Sequence, residues 1–220
     1  KGDEVITSPL SWIATANAIK MCQAEPIFAD IDNSLNIDVQ SIEQLITANT
    51  KAIVSVDFTG RLCDYKTLEK ICKKYSLLLV EDGSQAFGAK DCNNKLCGSF
   101  GDVSAISHNP MKVFSAFGEA GTIYTDNKEI YDRLKILRYA GTINKETCIV
   151  ESLNHRMDTL QASILLERLR NLDNNVLKPR IRNAKYYDQS ITNKVIKPVI
   201  NKNETHVYYT YTLITDQREE

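Results

Sequence analysis

The chain lacks the signatures of the common nucleotide- and metal-binding classes. Neither G-x-G-x-x-G nor G-x-x-x-x-G-K-[ST] occurs, so a dinucleotide or P-loop reading has no anchor. There is no H-E-x-x-H, and the three histidines, at 108, 155 and 206, show no metal spacing. No apolar run approaches about 20 residues, which excludes a membrane-spanning helix, and no signal peptide opens the chain. The formal net charge is −1, so no global basic field points to nucleic acid or a membrane surface. The six cysteines, at 22, 63, 72, 92, 97 and 148, include no C-x-x-C pair. They read as reduced thiols of a cytoplasmic protein. Cys92 and Cys97 flank a polar turn, where two ordinary cysteines are favoured over a disulfide or a metal.

What is present is ordinary globular composition. Hydrophobic residues at 43% and charged residues at 25% over 220 positions are enough for a sizeable core. That length suits one large domain, or one domain with part of another. Apolar β-branched runs alternate with helical patterns. Strands are expected over Val5–Ser8, Pro26–Ala29, Ala52–Val56, Leu77–Val80, Val103–Ile106 and Gly121–Thr125. Helices are expected over Trp12–Cys22, Val39–Thr47, Tyr65–Tyr75, Lys128–Arg138, Thr159–Asn171 and Val176–Ile191. This alternation argues for an α/β domain with a mostly parallel sheet. The texture changes after Asn171, where a polar helix leads to Val207–Ile214, a run that alternates like a half-exposed strand and would begin a second, smaller domain. Both ends read as cut: Lys1-Gly2-Asp3-Glu4 runs straight into a strand, and Gln217-Arg218-Glu219-Glu220 follows a strand-like run closely.

The richest segment for chemistry is Glu81 to Lys112. Asp82 ends an apolar run, Gln85 follows three residues later, and Ser107 precedes Lys112 by five. In a parallel α/β sheet, ligands bind beyond the carboxyl ends of the strands, where Asp82 and Ser107 are expected. Asp82 could keep a pyridine nitrogen protonated, Ser107 could bind phosphate, and Lys112 could form a Schiff base. Each also has a plainer reading: an N-cap for Asp82, an ordinary lysine for Lys112. The neighbours of Lys112 are the apolar Pro110, Met111, Val113 and Phe114, a setting suited to lowering a lysine pKa. Ser107 and His108 do not read as a hydrolase pair, since adjacent strand residues face opposite sides. Trp12, the single tryptophan, could stack on a flat ring or fill the core.

Taken in order, these pieces resemble the DegT/DnrJ/EryC1/StrS family of pyridoxal-phosphate sugar aminotransferases. Ala29-Asp30-Ile31-Asp32 and Asn36-Ile37-Asp38 are similar to the family's "vDid…yniD" segment. Thr50-Lys51-Ala52-Ile53-Val54 resembles "TkAIipvhlyG", and Glu81-Asp82-Gly83-Ser84-Gln85-Ala86-Phe87-Gly88-Ala89 resembles "EDaaQAhGA". Gly98-Ser99-Phe100-Gly101-Asp102, Asn109-Pro110-Met111-Lys112 and Asn154-His155-Arg156-Met157-Asp158 fit later motifs. The match covers about residues 1 to 172.

The resemblance implies a fold-type I PLP-dependent transferase, aspartate aminotransferase-like. Residues 1–172 would be the PLP-binding large domain with a mostly parallel mixed sheet, lacking its N-terminal part. Residues 173–220 would be a linker helix and the start of a smaller α+β C-terminal domain. Lys112 would be the catalytic lysine carrying pyridoxal 5'-phosphate and shuttling a proton, with pyridoxamine 5'-phosphate as the intermediate form. Asp82 would pair with the pyridinium nitrogen, Gln85 with the ring hydroxyl, Trp12 with the ring face and Ser107 with the phosphate. Asn154 would reach the cofactor phosphate of a neighbouring subunit, in a homodimer with shared sites; Arg156 reads as structural. The implied substrates are a nucleotide-linked keto sugar and glutamate as amino donor, with no metal, no nucleic acid and no membrane. The family's Gly-Thr-x-Ala-Leu phosphate turn is absent, and Asp57 stands where many members have histidine. Asp57, His108 and Trp12 are expected to line the sugar pocket. The alternatives are a PLP-dependent sugar dehydratase, against which Lys112 argues because that branch has histidine there, a non-catalytic regulatory relative, and an α/β nucleotide-binding module.

Overall fold

The computed structural model describes residues 1–192, 195–198 and 203–216. The terminal Gln217–Glu220 lie outside the described residues. In chain order the elements are β1 Glu4–Thr7, α1 Ala14–Met21, β2 Glu25–Phe28, α2 Val39–Ile42, β3 Thr50–Val56, α3 Tyr65–Tyr75 and β4 Leu78–Asp82. They continue with β5 Val103–Ser107, β6 Gly121–Tyr124, α4 Lys128–Arg138, the small hairpin strands β7 Thr142–Ile143 and β8 Thr147–Cys148, α5 Thr159–Arg170 and α6 Lys178–Ser190. Six strands form one sheet in the order β2-β1-β3-β4-β5-β6. All pairings are parallel except β5 with β6 at the edge. The carboxyl ends of β1, β3, β4 and β5 therefore open on one side of the molecule.

The centre of the sheet is written in Ile6, Ile53 and Leu79, which lie in register across β1, β3 and β4. All three are buried, with Ile37, Ile42, Leu68 and Phe100 packed around them. α3 supplies Leu68 because its apolar residues fall on one face, at Tyr65, Leu68, Ile71 and Cys72. Its ends are set locally. The Asp64 carboxylate accepts from the Thr67 N–H at 3.1 Å, and Ser76 adopts the left-handed conformation at the C-cap. Full burial of one such leucine stabilises the fold by about 1.5–3 kcal/mol.

Several elements depart from the sequence reading. The helix expected over Val39–Thr47 is one α-turn followed by a 3₁₀ turn at Glu43–Leu45. Thr47 leaves it because its N–H donates to the Thr50 hydroxyl at 2.9 Å and its own hydroxyl reaches Glu4 at 2.5 Å, turning the chain into β3. Asp82 and Ser107 are the last residues of β4 and β5 rather than lying just past their ends. Val207–Ile214 forms no strand. There Arg180 donates to the carbonyls of Tyr208 and Tyr209 at 2.9 and 3.3 Å, and Tyr208 has φ +51°, so a continuous ladder cannot form. Val207 is instead buried in a second core cluster with Ile106, Val113, Phe114, Leu165, Leu172 and Leu177.

α5 and α6 are joined by a π-helical turn at Asp173–Leu177. Pro179 follows after Lys178; it has no N–H for the Asn175 carbonyl and would collide with it in a regular helix. The wider turn accommodates the ring. All six cysteines are free thiols.

Candidate active site

Lys112 sits on the connection between β5 and β6. The turn that carries it is held by short-range bonds: Asn109 accepts from the Met111 N–H at 2.9 Å through its side chain and from the Lys112 N–H at 2.8 Å through its carbonyl. The next four residues, Val113 to Ala116, are buried and pin the connection to the second core cluster. His108 closes the base of the loop. Its Nδ1 faces the Phe114 carbonyl at 2.9 Å, which only accepts, so Nδ1 carries the proton. Nε2 then accepts from the Thr122 hydroxyl at 2.9 Å. Burial pushes the imidazole below its ordinary value, partly opposed by the Phe114 carbonyl. His108 is therefore a buried structural brace, 1% exposed, and does not line a pocket.

The Lys112 side chain is half-buried, with its amine 5.0 Å from the centroid of the Tyr209 ring. Burial lowers its pKa, and the Asp82 carboxylate opposes that shift. A lysine in this setting keeps more of its neutral, nucleophilic form than one in water. The Asp82 carboxylate accepts from the Thr15 hydroxyl at 3.0 Å on one oxygen and from the Ser84 N–H at 3.2 Å on the other. Thr15 in turn shares a 2.8 Å hydrogen bond with Ser11. Each Asp82 oxygen retains a lone pair for a further donor.

Gln85 is buried and its orientation is determined. Its carbonyl oxygen accepts from the Thr59 N–H at 2.9 Å, so its NH₂ is the end left for a ligand acceptor. The Ser107 oxygen accepts from the Asn109 N–H at 3.3 Å, which leaves its O–H to donate. Trp12 precedes α1 and is 72% exposed, so it is not core. Asn154 is exposed on the connection between α4 and α5, where its side-chain oxygen accepts from Arg156 at 2.9 Å. Arg156 covers the Tyr139 ring at 4.4 Å.

The structure thus places Asp82 and Ser107 at the carboxyl ends of β4 and β5, Trp12, Gln85 and Lys112 on the connections that follow β1, β4 and β5, and Asn154 on the connection between α4 and α5. Thr15, Thr59 and Tyr209 join the site without having been singled out in the sequence. Their partners lie 67, 26 and 97 positions away, so no local pattern marks them. Asp57 was expected in the sugar pocket; it is fully buried, its side chain bonded to the Cys63 N–H and the Tyr65 hydroxyl. The donor set fits a group that combines an aldehyde, a cationic ring nitrogen and an anionic oxygen: an amine of lowered pKa, a carboxylate with open lone pairs, a fixed NH₂ and a free hydroxyl.

A family model described as the DegT/DnrJ/EryC1/StrS aminotransferase family matches residues 1–220. The chain is 38% identical over 220 residues to a dTDP-3-amino-3,6-dideoxy-alpha-D-galactopyranose transaminase of Aneurinibacillus thermoaerophilus, covering 99% of this chain and 60% of the relative. It is 34% identical over 223 residues to a "pleiotropic regulatory protein" of Geobacillus stearothermophilus, covering 100% of this chain and 60% of the relative. Among solved structures it resembles NtdA of Bacillus subtilis with bound cofactor PMP, at TM-score 0.88 and 32% identity, over 96% of this chain and 49% of that one. The chain thus spans about 60% of the length of the curated relatives it matches.

Proposed function

Because the chain belongs to the DegT/DnrJ/EryC1/StrS aminotransferase family, whose fold-type I architecture it shares, we propose that it forms the cofactor-binding part of a pyridoxal-phosphate sugar aminotransferase. The reaction moves an amino group from an amino acid, glutamate by this reading, to a keto group of a nucleotide-linked deoxysugar. The observation that carries the proposal is Lys112, a half-buried lysine whose pKa is lowered by burial on a loop anchored in the core, facing the charge of Asp82.

Pyridoxal phosphate supplies an electron sink when bound. Asp82 would hold the proton of its ring nitrogen, with Thr15 and Ser84 fixing the carboxylate. Gln85 would donate its NH₂ to the ring oxygen, the Thr59 N–H preventing the amide from turning over. The Ser107 hydroxyl would donate to the phosphate, and Trp12 would cover one ring face. Lys112 would hold the aldehyde carbon through its amine and, once released, move a proton as a general base; its lowered pKa favours the neutral amine that this task needs. Asn154, exposed on the connection between α4 and α5, suits a contact to the phosphate in a second copy. This reading takes the protein as a cytoplasmic homodimer, with residues 1–172 as the large domain and 173–220 as linker helix and start of a smaller one. Among the described residues no helix is long and apolar enough to cross a membrane.

A second reading, a regulatory relative without catalysis, is favoured by the likeness to the Geobacillus regulatory protein. One experiment separates the two. The purified chain is mixed with pyridoxal phosphate, its absorbance is read before and after borohydride, and the reduced protein is peptide-mapped. An adduct on Lys112 that is lost in Lys112→Arg supports the enzyme. Absence of an adduct, both here and in a chain extended to the length of its relatives, supports the silent regulator.

A further inference from the structure

Behind Asp82 lie two carboxyl groups with no exposure to solvent, Asp57 at the end of β3 and Glu81 in β4. Their oxygens can be accounted for one by one. Asp57 Oδ1 accepts from the Cys63 N–H at 2.9 Å and the Tyr65 hydroxyl at 2.8 Å. Glu81 Oε1 accepts from the Gly98 N–H at 2.7 Å, and Oε2 from the Phe100 N–H at 3.0 Å. Asp57 Oδ2 has only the thiol of Cys97, a weak donor, at 3.8 Å. Oxygens of the two carboxyl groups and the Cys97 sulfur lie within 4.8 Å of one another, and no ion pair with a cation involves either acid among the described residues. Two negative charges cannot both persist so close in a dry place.

We propose that Asp57 and Glu81 hold one proton between them, with Asp57 the neutral acid donating through Oδ2 to Glu81, and that this pair positions Asp82. The main chain makes the link. The Asp57 N–H donates to the Asp82 carbonyl at 3.0 Å, and Glu81 is the residue next to Asp82 on β4. Locking the two acids together therefore fixes the end of β4 from which the Asp82 side chain projects. Burial, and then the Glu81 charge, push the Asp57 carboxyl well up, in keeping with the proton it carries. The other titratable groups facing the pair are Cys63, Tyr65 and Cys97, and burial beside these acids pushes all three up, so none supplies a compensating charge.

The positioning part rests on the function proposed above; the shared proton does not. The test has two readouts. An infrared difference spectrum, wild type minus Asp57→Asn at neutral pH, is expected to show the carbonyl stretch of one protonated carboxylic acid. Identical spectra, or a stoichiometric bound divalent metal that disappears in Asp57→Asn, would overturn the shared proton. For positioning, pyridoxal phosphate is titrated into each variant. Asp57→Asn and Asp57→His, which keep a donor towards Glu81, are expected to stay within about threefold of wild type, and Asp57→Ala to bind about tenfold more weakly. If Asp57→Ala does not fold, the other two variants decide: a tenfold loss in both would overturn the positioning role, as would unchanged binding in a folded Asp57→Ala. Failure to form an adduct on Lys112, both in this chain and in one extended to the length of its relatives, would sink the aminotransferase reading while leaving the infrared result standing.

Discussion

Asp57→Asn also isolates the buried proton as a contribution to folding. In the native chain the Asp57 carboxyl is held well above its ordinary value of 3.8, whereas the unfolded chain releases the proton near that value. Above about pH 4 the folded state therefore binds one more proton than the unfolded state. With the folded value raised, stability falls as pH rises, and keeps falling until pH passes the folded value. One proton corresponds to about 1.4 kcal/mol per pH unit. Between about pH 5 and pH 8 the wild type is therefore expected to lose stability relative to Asp57→Asn, at that slope for as long as the pH stays below the folded value. The buried histidines His108 and His206 oppose this slope in acid, because burial lowers both. Their contribution is common to both proteins and cancels in the difference. Urea unfolding of the two chains across that range, with m-values compared to check that the denatured states match, measures it. Parallel stability curves would refute the reasoning and mean that Asp57 is ionised in the folded chain.

Two further substitutions probe the frame around the site. Gly101 has φ +67°, and a Cβ there would lie 2.5 Å from the Leu79 carbonyl oxygen, on the strand that ends in Asp82. Gly101→Ala is expected to cost about 3 kcal/mol, from left-handed strain plus a clash with main chain that cannot give way; a loss under about 1 kcal/mol by urea unfolding would show that β4 shifts freely. His206 is lowered from 6.5 to about 4, first by burial and then by the charge of Arg61. A depressed folded value means that its stabilisation is present above 6.5 and is lost as pH falls towards 4, about 3 kcal/mol in all. His206→Gln should flatten the acid limb of the stability curve by that amount, and an unchanged limb would place the titration elsewhere.

Local chemistry made much of the fold legible. α3 falls within the residues expected for it because the Asp64 cap, the apolar face and the left-handed Ser76 all act within a few residues. The α/β alternation placed Asp82, Gln85, Ser107 and Lys112 near strand ends because a parallel sheet leaves few other places for turns. What escaped is decided at a distance. Asp57 and His108 were expected in the sugar pocket because they depart from the family's pattern there; both are instead buried and held by Cys63, Tyr65 and Thr122, up to 14 residues away. Thr15 looked like an ordinary helix residue, since its bond to Asp82 spans 67 positions. Val207–Ile214 carries a strand's alternation, yet Arg180, 28 residues earlier, takes the Tyr208 carbonyl that a ladder would have used.

The π turn ahead of Pro179 leaves a mark on the spacing of buried residues. Leu165, Leu172, Leu177 and Ala184 all face inward, separated by seven, five and seven positions. Seven residues return a regular helix almost to the same side, but five, at about 100° each, do not. The extra residue of the turn restores the phase. Asp173–Leu177 is therefore the one stretch of this double helix where a chain one residue shorter, with Pro179 also replaced, could close into regular helix and keep both halves turned to the core. The same deletion a turn away in either α5 or α6 would rotate the inward residues beyond it towards water. Length variation between relatives along this rod is expected to concentrate at the turn, and wherever the residue is missing the proline should be missing too.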